Sequence, residues 1–267
     1  AEMGRVLSRL YMGLIGAILL APIIVIIGVS LNEKKRLLFP PQGLSFAWYG
    51  EMLQDPEWVG ALGHSVIIAV LAAALSVSIA LPMAWYLWRW NPRWGRALYT
   101  LGIAPFILPP VVSALGFLIF WQIVGLYGHI AATIVSHGIF FVTLPLVNIA
   151  LGLASIDRAA VEAARTLGAD ERTVFRTIVL PSVRPYIISG YAFAFVLSLN
   201  EYIIAYMVAG STVETLPIKI FNALRYGYTP VMASVTALFI VVAALVFSLV
   251  AWRGDLPRLL GATRPPR

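Results

Sequence analysis

The stretch that decides the fold is SIDRAAVEAARTLGADERTVFRTIVLPSVRP, residues 155–185. It is the longest polar interruption in the second half of a strongly apolar chain. Asp157 is a good N-cap, and the alanine-rich residues 158–167 are strong helix formers. Gly168 is typical of the position after a helix end, because glycine readily adopts a left-handed backbone. The stretch therefore predicts a short helix over 158–167.

The second half of the stretch predicts another short helix. Asp170 can cap it, and it can run through Val179. Pro181 and Pro185 follow, and proline lacks the N–H that continues a helix and clashes with the preceding turn. We therefore expect this helix to end before Pro181, so that residues 155–185 form a polar loop of two helices.

The first helix of the loop has two distinct faces. Small and apolar residues recur at helical spacing on one face: Ala160, Ala164 and Leu167. Charged residues of opposite sign occupy the other, at spacings of three and four: Arg158, Glu162 and Arg165. A small-residue face allows another protein to approach closely, and the charges beside it provide a docking edge.

Several residues of the loop match a family pattern: Glu162, Ala163, Ala164, Gly168, Ile178, Leu180 and Pro181. They resemble the EAA loop of ABC-importer permease subunits, in which the loop is a cytoplasmic coupling helix that sits in a cleft of the ATP-binding subunit. The resemblance implies contact with such a subunit through six residues: Glu162, Ala163, Ala164, Arg165, Leu167 and Gly168. The alternative is a solvated loop helix in which Glu162 only pairs with its neighbouring arginines.

The composition is that of a membrane protein. Of the 267 residues, 60% are hydrophobic and 12% are charged, whereas soluble domains contain about 25% charged residues. The chain has no cysteine, which excludes disulfides and thiolate metal sites. We predict an all-α, polytopic transmembrane bundle that forms a single domain over residues 1–267. Its six apolar stretches are 10–31, 62–87, 99–125, 128–152, 186–209 and 229–252.

The basic residues orient these spans. One side carries the N-terminus, loops 88–98 and 153–185 and the C-terminus, with Arg5, Arg9, Arg89, Arg93, Arg96, Arg158, Arg165, Arg172, Arg176, Arg184, Arg253, Arg258, Arg264 and Arg267. The other side carries only Lys34, Lys35, Arg36, Lys219 and Arg225. The positive-inside rule therefore places both termini and the EAA-like loop in the cytoplasm. This uneven distribution indicates a membrane lipid environment rather than a nucleic-acid partner.

Two spans carry candidates for a translocation path. Pro105, Pro109 and Pro110 lie in the third, and broken backbone at membrane depth is tolerated where it is packed in protein or lines a water-filled cavity. The alternative is a kink that serves packing alone. The fifth contains Asn200, Glu201 and Tyr202. Glu201 is the only formally charged residue in the six apolar stretches, and an acid there costs about 2–3 kcal/mol.

Glu201 admits a second interpretation. It can be held neutral by burial, or lie near enough to the external edge to be hydrated. Nearby tyrosines suit a cation through cation–π contact: Tyr191, Tyr202 and Tyr206. In the fourth span, His137 is typical of a hydrogen-bonding residue between helices, and the sequence predicts no metal site. The loops 32–61 and 210–228 are candidate contacts for an external partner. The alternative for the aromatic residues of the first loop, Trp48, Tyr49 and Trp58, is an ordinary belt at the membrane boundary.

The chain contains no nucleotide-binding loop, no His-Glu-x-x-His and no Gly-x-Ser-x-Gly, so we predict no catalytic residues and no enzyme activity. The resemblance implies a multi-pass inner-membrane permease of type I fold, of the polyamine, opine, phosphonate and iron branch. ATP and Mg would be bound by two partner ATP-binding subunits. A second permease, homologous or identical, and a periplasmic substrate-binding protein would complete the importer. A secondary transporter or channel acting alone is the competing class.

Overall fold

The computed structural model describes residues 2–226 and 229–253. Within these ranges the chain is helical, with no β-strand and one isolated bridge between Asn32 and Leu44. Its helices are α1 (Glu2–Ser30), α2 (Ala47–Gln54), α3 (Pro56–Trp90), α4 (Gly95–Ile107), α5 (Pro110–Val124), α6 (Ile130–Phe140), α7 (Thr143–Ala154), α8 (Arg158–Thr166), α9 (Glu171–Val174), a π-helical turn (Phe175–Val179), α10 (Leu180–Asn200), α11 (Ile203–Ala209), α12 (Leu216–Tyr226) and α13 (Val231–Arg253). The predicted all-α class is confirmed.

The contacts divide the chain into two units. The first consists of the residues up to Gly60 together with Lys219–Leu245. The second consists, among the described residues, of Ala61–Ile218 and 246–253, and it contains the whole of the EAA-like loop. The prediction of one domain over residues 1–267 therefore stays a prediction.

Five helical segments are long and apolar enough to cross a membrane: Val6–Ser30, Pro56–Trp90, Ile130–Ala154, Glu171–Asn200 and Val231–Trp252. The predicted third span, 99–125, corresponds to α4 and α5, which meet at an angle of 102°. It supplies a sixth span if this bent pair crosses the membrane as one. The prolines explain the bend, because Pro109 and Pro110 stand at the junction and neither can donate a backbone hydrogen bond.

The predicted end of the second loop helix is wrong. The helical path does not stop before Pro181 but runs from Glu171 to Asn200. The turn just before Pro181 is a π-helix over Phe175–Val179, and such a widened turn disturbs the ordinary ladder of hydrogen bonds where the proline ring needs room. Pro181 is the second residue of α10, so the widened turn lies directly before the position where proline cannot donate a backbone hydrogen bond.

α7 and α10 pack closely beneath the loop. Gly190 makes this possible, because a Cβ atom there would lie 2.5 Å from Cα of Pro145. At the loop end of this pair, one buried cluster joins Ile149 and Leu153 of α7 to Val183 of α10. Val161 and Val174 of the loop belong to the same cluster. Burying one such side chain stabilises a fold by about 1.5–3 kcal/mol, which anchors the loop from below.

Candidate functional site

The EAA-like loop is built from local capping contacts that confirm the prediction. Oδ1 of Asp157 accepts a hydrogen bond from the N–H of Ala159 at 2.9 Å, at the start of α8. Oδ1 of Asp170 accepts one from the N–H of Thr173 at 2.8 Å, at the start of α9. Gly168 has a φ of +89°, the left-handed conformation expected after a helix end.

The pKa of the Asp170 carboxyl lies below its ordinary value. The first cause is a hydrogen bond from the Thr173 side chain, and the second is the hydrogen bond from the Thr173 N–H. Because both donors favour the charged form, this fully exposed carboxyl stays ionised at neutral pH. A negative charge at this position is favourable, since it stands at the N-terminus of the helical path that begins with α9.

The outward face of α8 is free of cover from the described chain. Of the predicted small-residue face, Ala160 and Leu167 are exposed, and Leu167 keeps 88% of its surface accessible. Ala163 is also exposed, whereas Ala164 is half-buried against the cluster that contains Val161 and Val174. Only Val161 of this helix is buried. A shallow hollow lies beside this face, lined by Ala164, Leu167, Gly168, Ala169, Asp170 and Thr173. An exposed leucine beside small residues is a surface that a partner protein can cover.

The sequence predicted that Arg158, Glu162 and Arg165 form one charged stripe on α8, but only Arg165 pairs with Glu162 in the structure. Nη1 of Arg165 donates to Oε1 of Glu162 at 3.0 Å, as expected for residues three apart. Arg158, however, lies with its guanidinium 5.3 Å from the ring centre of Trp88, at the end of α3. The aromatic face and a 3.5 Å contact from Nη2 to the Trp88 carbonyl draw Arg158 away from Glu162.

Two residues outside the family pattern complete the loop. Arg89, in the last turn of α3, donates from Nε to both carboxylate oxygens of Glu171 at 3.1 Å and from Nη2 to Oε1 at 2.7 Å. Arg165 reaches the same carboxylate, with Nη2 3.1 Å from Oε1. Sequence reasoning missed this connection, because Arg89 and Glu171 are 82 residues apart.

The structure places Glu201 at a helix junction. α10 ends at Asn200 and α11 begins at Ile203, so the predicted span over 186–209 is interrupted at Glu201. Oε1 of Glu201 accepts from the N–H of Ile204 at 2.9 Å, and Oε2 accepts from the N–H of Ala205 at 3.0 Å. The carboxylate therefore caps α11, because it accepts hydrogen bonds from backbone N–H groups that have no partner within the first turn of the helix.

His137 is the second partner of Glu201. Its Nε2 lies 3.1 Å from Oε2 of Glu201, and its Nδ1 lies 2.8 Å from Oγ of Ser198. The side chains of His137 and Glu201 are only 1% and 8% exposed. The prediction that His137 is a hydrogen-bonding residue between helices is confirmed. Ser198 and Glu201 are three residues apart, a spacing that puts two side chains on the same side of a helix, and this was the sequence signal that could have indicated the two partners of His137.

The neighbours of Glu201 are more accessible. Asn200 is exposed, and its Nδ2 donates back to the carbonyl of Val196 at 2.9 Å. The rings of Tyr202 and Tyr206 stack with their centres 5.4 Å apart, and Tyr206 is half-exposed. These three residues form a polar and aromatic surface beside the junction, which we call the 200–206 surface.

Pro109 and Pro110 are also exposed, at the bend between α4 and α5. α5 packs against α11, since Ala114 and Trp121 share a buried cluster with Ile204 and Val208. The bend and the Glu201 junction thus belong to two neighbouring helical elements. Throughout the ranges 2–226 and 229–253, no group of three or more His, Cys, Asp or Glu side chains is placed to hold a metal ion.

These features define a class of helical membrane proteins. Its members carry a capped helix in a polar loop, and the outward face of that helix is exposed. Residues 76–253 match the family described as "Binding-protein-dependent transport system inner membrane component", and the chain belongs to this family. Members of this class are permease subunits of ABC importers rather than enzymes. The recognition made from the EAA-like pattern is thereby confirmed.

The chain is homologous to two named permeases. It is 30% identical to the spermidine/putrescine transport system permease protein PotC of Haemophilus influenzae over 237 residues, which is 89% of this chain and 92% of that protein. It is 34% identical to the putrescine transport system permease protein PotI of Escherichia coli K12 over 241 residues, 88% of this chain and 85% of that one.

A solved structure shares the fold. It is a crystal structure of a bacterial ABC transporter involved in the import of the acidic polysaccharide alginate. One chain of that transporter superposes with a TM-score of 0.72, 17% sequence identity, and coverage of 94% of this chain and 96% of that chain. At this identity the likeness concerns the fold alone.

Proposed function

We propose that this chain is the permease subunit of an importer for a polyamine or a related organic cation, and that α8 is its coupling helix. The exposed outward face of α8 is the observation that supports its role as the coupling helix. Leu167 is 88% exposed, and the side chain of Glu162 is 70% exposed. A single leucine on the surface does not by itself indicate a binding site, because folded proteins commonly expose such residues. Here it stands beside small residues on a helix whose caps and buried Val161 hold it rigid.

The proposed partners follow from this arrangement. α8 docks on an ATP-binding subunit, and closure of a pair of such subunits around ATP and Mg moves the loop. A second permease subunit, homologous or identical, completes the path. A periplasmic binding protein delivers the substrate from outside the cell membrane, and α2 and α12 are its candidate contacts. Both termini then lie in the cytoplasm, as the distribution of basic residues indicates.

The support for an organic cation comes from the relatives, whose names specify spermidine and putrescine. Glu201 supports it less, because both carboxylate oxygens are already engaged by Ile204, Ala205 and His137. The 200–206 surface is the better candidate for contact with a cation in transit. It offers an amide oxygen and stacked aromatic rings, both of which attract organic ammonium groups.

The test is uptake by the complete transporter reconstituted in proteoliposomes. Radiolabelled spermidine and putrescine should accumulate only when ATP is enclosed with the ATP-binding subunits. Ferric iron, an opine and aminoethylphosphonate serve as competitors, because these are the alternative substrates of the branch. Uptake that persists without ATP would show a secondary transporter or channel. Absence of spermidine and putrescine uptake, with ATP-dependent uptake of one of these alternative substrates, would reassign the substrate.

A further inference from the structure

Arg89 and Glu171 join the EAA-like loop to a helix with which it has no chain connection. In sequence, the loop continues only into α7 on one side and α10 on the other. The salt bridge adds α3, whose last turn carries Arg89. The geometry is bidentate, with Nε 3.1 Å from each carboxylate oxygen and Nη2 2.7 Å from Oε1. Such a forked pair fixes orientation as well as distance.

Glu171 is shared between two elements. The same carboxylate lies 3.1 Å from Nη2 of Arg165 on α8, while Nη1 of Arg165 contacts Glu162 at 3.0 Å. One chain of charges therefore runs from α3 through Glu171 to the exposed edge of α8. A lone surface ion pair stabilises little, but a network with bidentate geometry is the recognised exception.

Aromatic contacts reinforce the same connection. The guanidinium of Arg158 lies 5.3 Å from the ring centre of Trp88, which ties the start of α8 to α3. Trp85, one turn earlier on α3, packs against Phe175 at the start of the π-helical turn, with ring centres 5.2 Å apart. The loop is thus attached to the end of α3 at three points: Arg158, Glu171 and Phe175.

We propose that these contacts transmit the movement of α8 to α3, and that Arg89 and Glu171 are the positioning residues of this second coupling route. α3 has 35 residues, so it is about 50 Å long and can pass through the whole membrane. A rigid helix clamped to the loop at one end shifts when the loop shifts. The proposal rests on the proposed function, because it needs an ATP-binding subunit to move α8.

The first experiment measures whether α8 and the end of α3 move together. Spin labels are attached to cysteines replacing Tyr86 on α3 and Ala159 on α8, both exposed positions in a chain that has no cysteine of its own. The distance between the labels is measured in the complete transporter with and without ATP and vanadate. With Arg89 and Glu171 intact, we expect the distance to be the same with and without ATP and vanadate. In Arg89→Glu and in Glu171→Arg, we expect the distance to change when ATP and vanadate are added.

The charge-swapped double variant, R89E/E171R, should restore the unchanged distance. Coupling is read in parallel as the stimulation of ATP hydrolysis by spermidine-loaded binding protein. Each single reversal should lower this stimulation about fivefold or more, and the double variant should recover most of it. The stimulation in Arg89→Lys should lie between that of the unaltered protein and that of Arg89→Glu, because lysine keeps the positive charge but cannot form the bidentate contact of a guanidinium group. Arg93→Glu is the matched control, an exposed arginine shortly after α3 for which the described residues offer no ion pair.

Three results would overturn the proposal. One is a distance that changes on ATP binding with the bridge intact, and another is single reversals that behave like Arg93→Glu. The third is a double variant no better than the single ones, since a merely structural loss at each site would not be recovered by swapping the charges. Failure of the proposed function is seen separately, as ATP-binding subunits that do not co-purify with the unaltered permease.

Discussion

The carboxylate of Glu201 lies 3.1 Å from Nε2 of His137 while its two oxygens cap the first turn of α11. One acidic side chain therefore caps the backbone of one helix and lies within ion-pair distance of the imidazole of another. Ser198 binds the other imidazole nitrogen at 2.8 Å. An acid that looked isolated in an apolar stretch is thus part of a buried polar network in which α6, α10 and α11 meet.

The first prediction concerns this network. Glu201→Leu removes both the cap and the partner of His137, so it should lower the stability of the purified transporter by about 1–3 kcal/mol. Glu201→Gln should lower it less, because an amide keeps one acceptor. Thermal unfolding in detergent measures both. In a double-mutant cycle with His137→Ala, the two losses should be non-additive by about 0.5–3 kcal/mol.

Transport by Glu201→Gln decides between the structural and the path role. If Glu201 acts as a cap, spermidine uptake per folded transporter should stay near the unaltered rate. A selective loss of uptake, with stability and basal ATP hydrolysis retained, would return Glu201 to the translocation path. Tyr206→Ala on the 200–206 surface is the companion variant, and we expect it to reduce uptake without lowering the melting temperature.

The second prediction concerns the coupling residues. Glu162→Ala changes an exposed side chain, so its effect on stability should stay within about 0.5 kcal/mol. Stimulated ATP hydrolysis should nevertheless fall about fivefold or more. Arg93→Ala, which removes an exposed charge outside α2, α8 and α12, is the control and should leave hydrolysis unchanged. Equal hydrolysis in the two variants would contradict a docking role for Glu162.

The third prediction uses the backbone at Gly168. Its φ of +89° is unfavourable for any residue with a branched Cβ. Gly168→Val should therefore strain the turn between α8 and α9 by about 1–3 kcal/mol. We expect inserted permease that retains its membrane helices but co-purifies with less ATP-binding subunit. Normal co-purification would show that the orientation of α8 does not depend on this turn.

The fourth prediction concerns topology. A cysteine replacing Gln42 or Ser211, both exposed, should react with a membrane-impermeant reagent added to intact cells, and one replacing exposed Thr173 should not. Lysed cells provide the control, since all three cysteines should react there. Labelling of position 173 in intact cells would reverse the proposed orientation.

The contacts that sequence reasoning predicted are local. Asp157, Gly168 and Asp170 act on backbone groups within three residues, so residue type and spacing were sufficient to place α8 and the start of α9. The unexpected continuation through Pro181 depends on a π-helical turn, which has no simple sequence signature. Its energetic support comes from burial of Val174, Val179 and Val183 against α7, and local propensity does not report that.

The contacts that sequence reasoning missed are distant in sequence. Arg89 and Glu171 come together across 82 residues, and His137 meets Glu201 only through the packing of different helices. Arg158 was assigned to Glu162 by its spacing of four, yet it lies over Trp88 of α3. Pair spacing within one helix predicts a possible contact, whereas tertiary competition decides which contact forms.

The central claim, that the outward face of α8 docks on an ATP-binding subunit, is tested most directly by photo-cross-linking. A benzophenone amino acid replaces Leu167, which is 88% exposed on this face, and the complete transporter is irradiated in membranes. The same amino acid at Ser211 is the control. The account predicts a cross-linked band containing the ATP-binding subunit from position 167 and none from position 211. An assembled transporter that gives no such band from position 167, or gives it from position 211, would contradict the account.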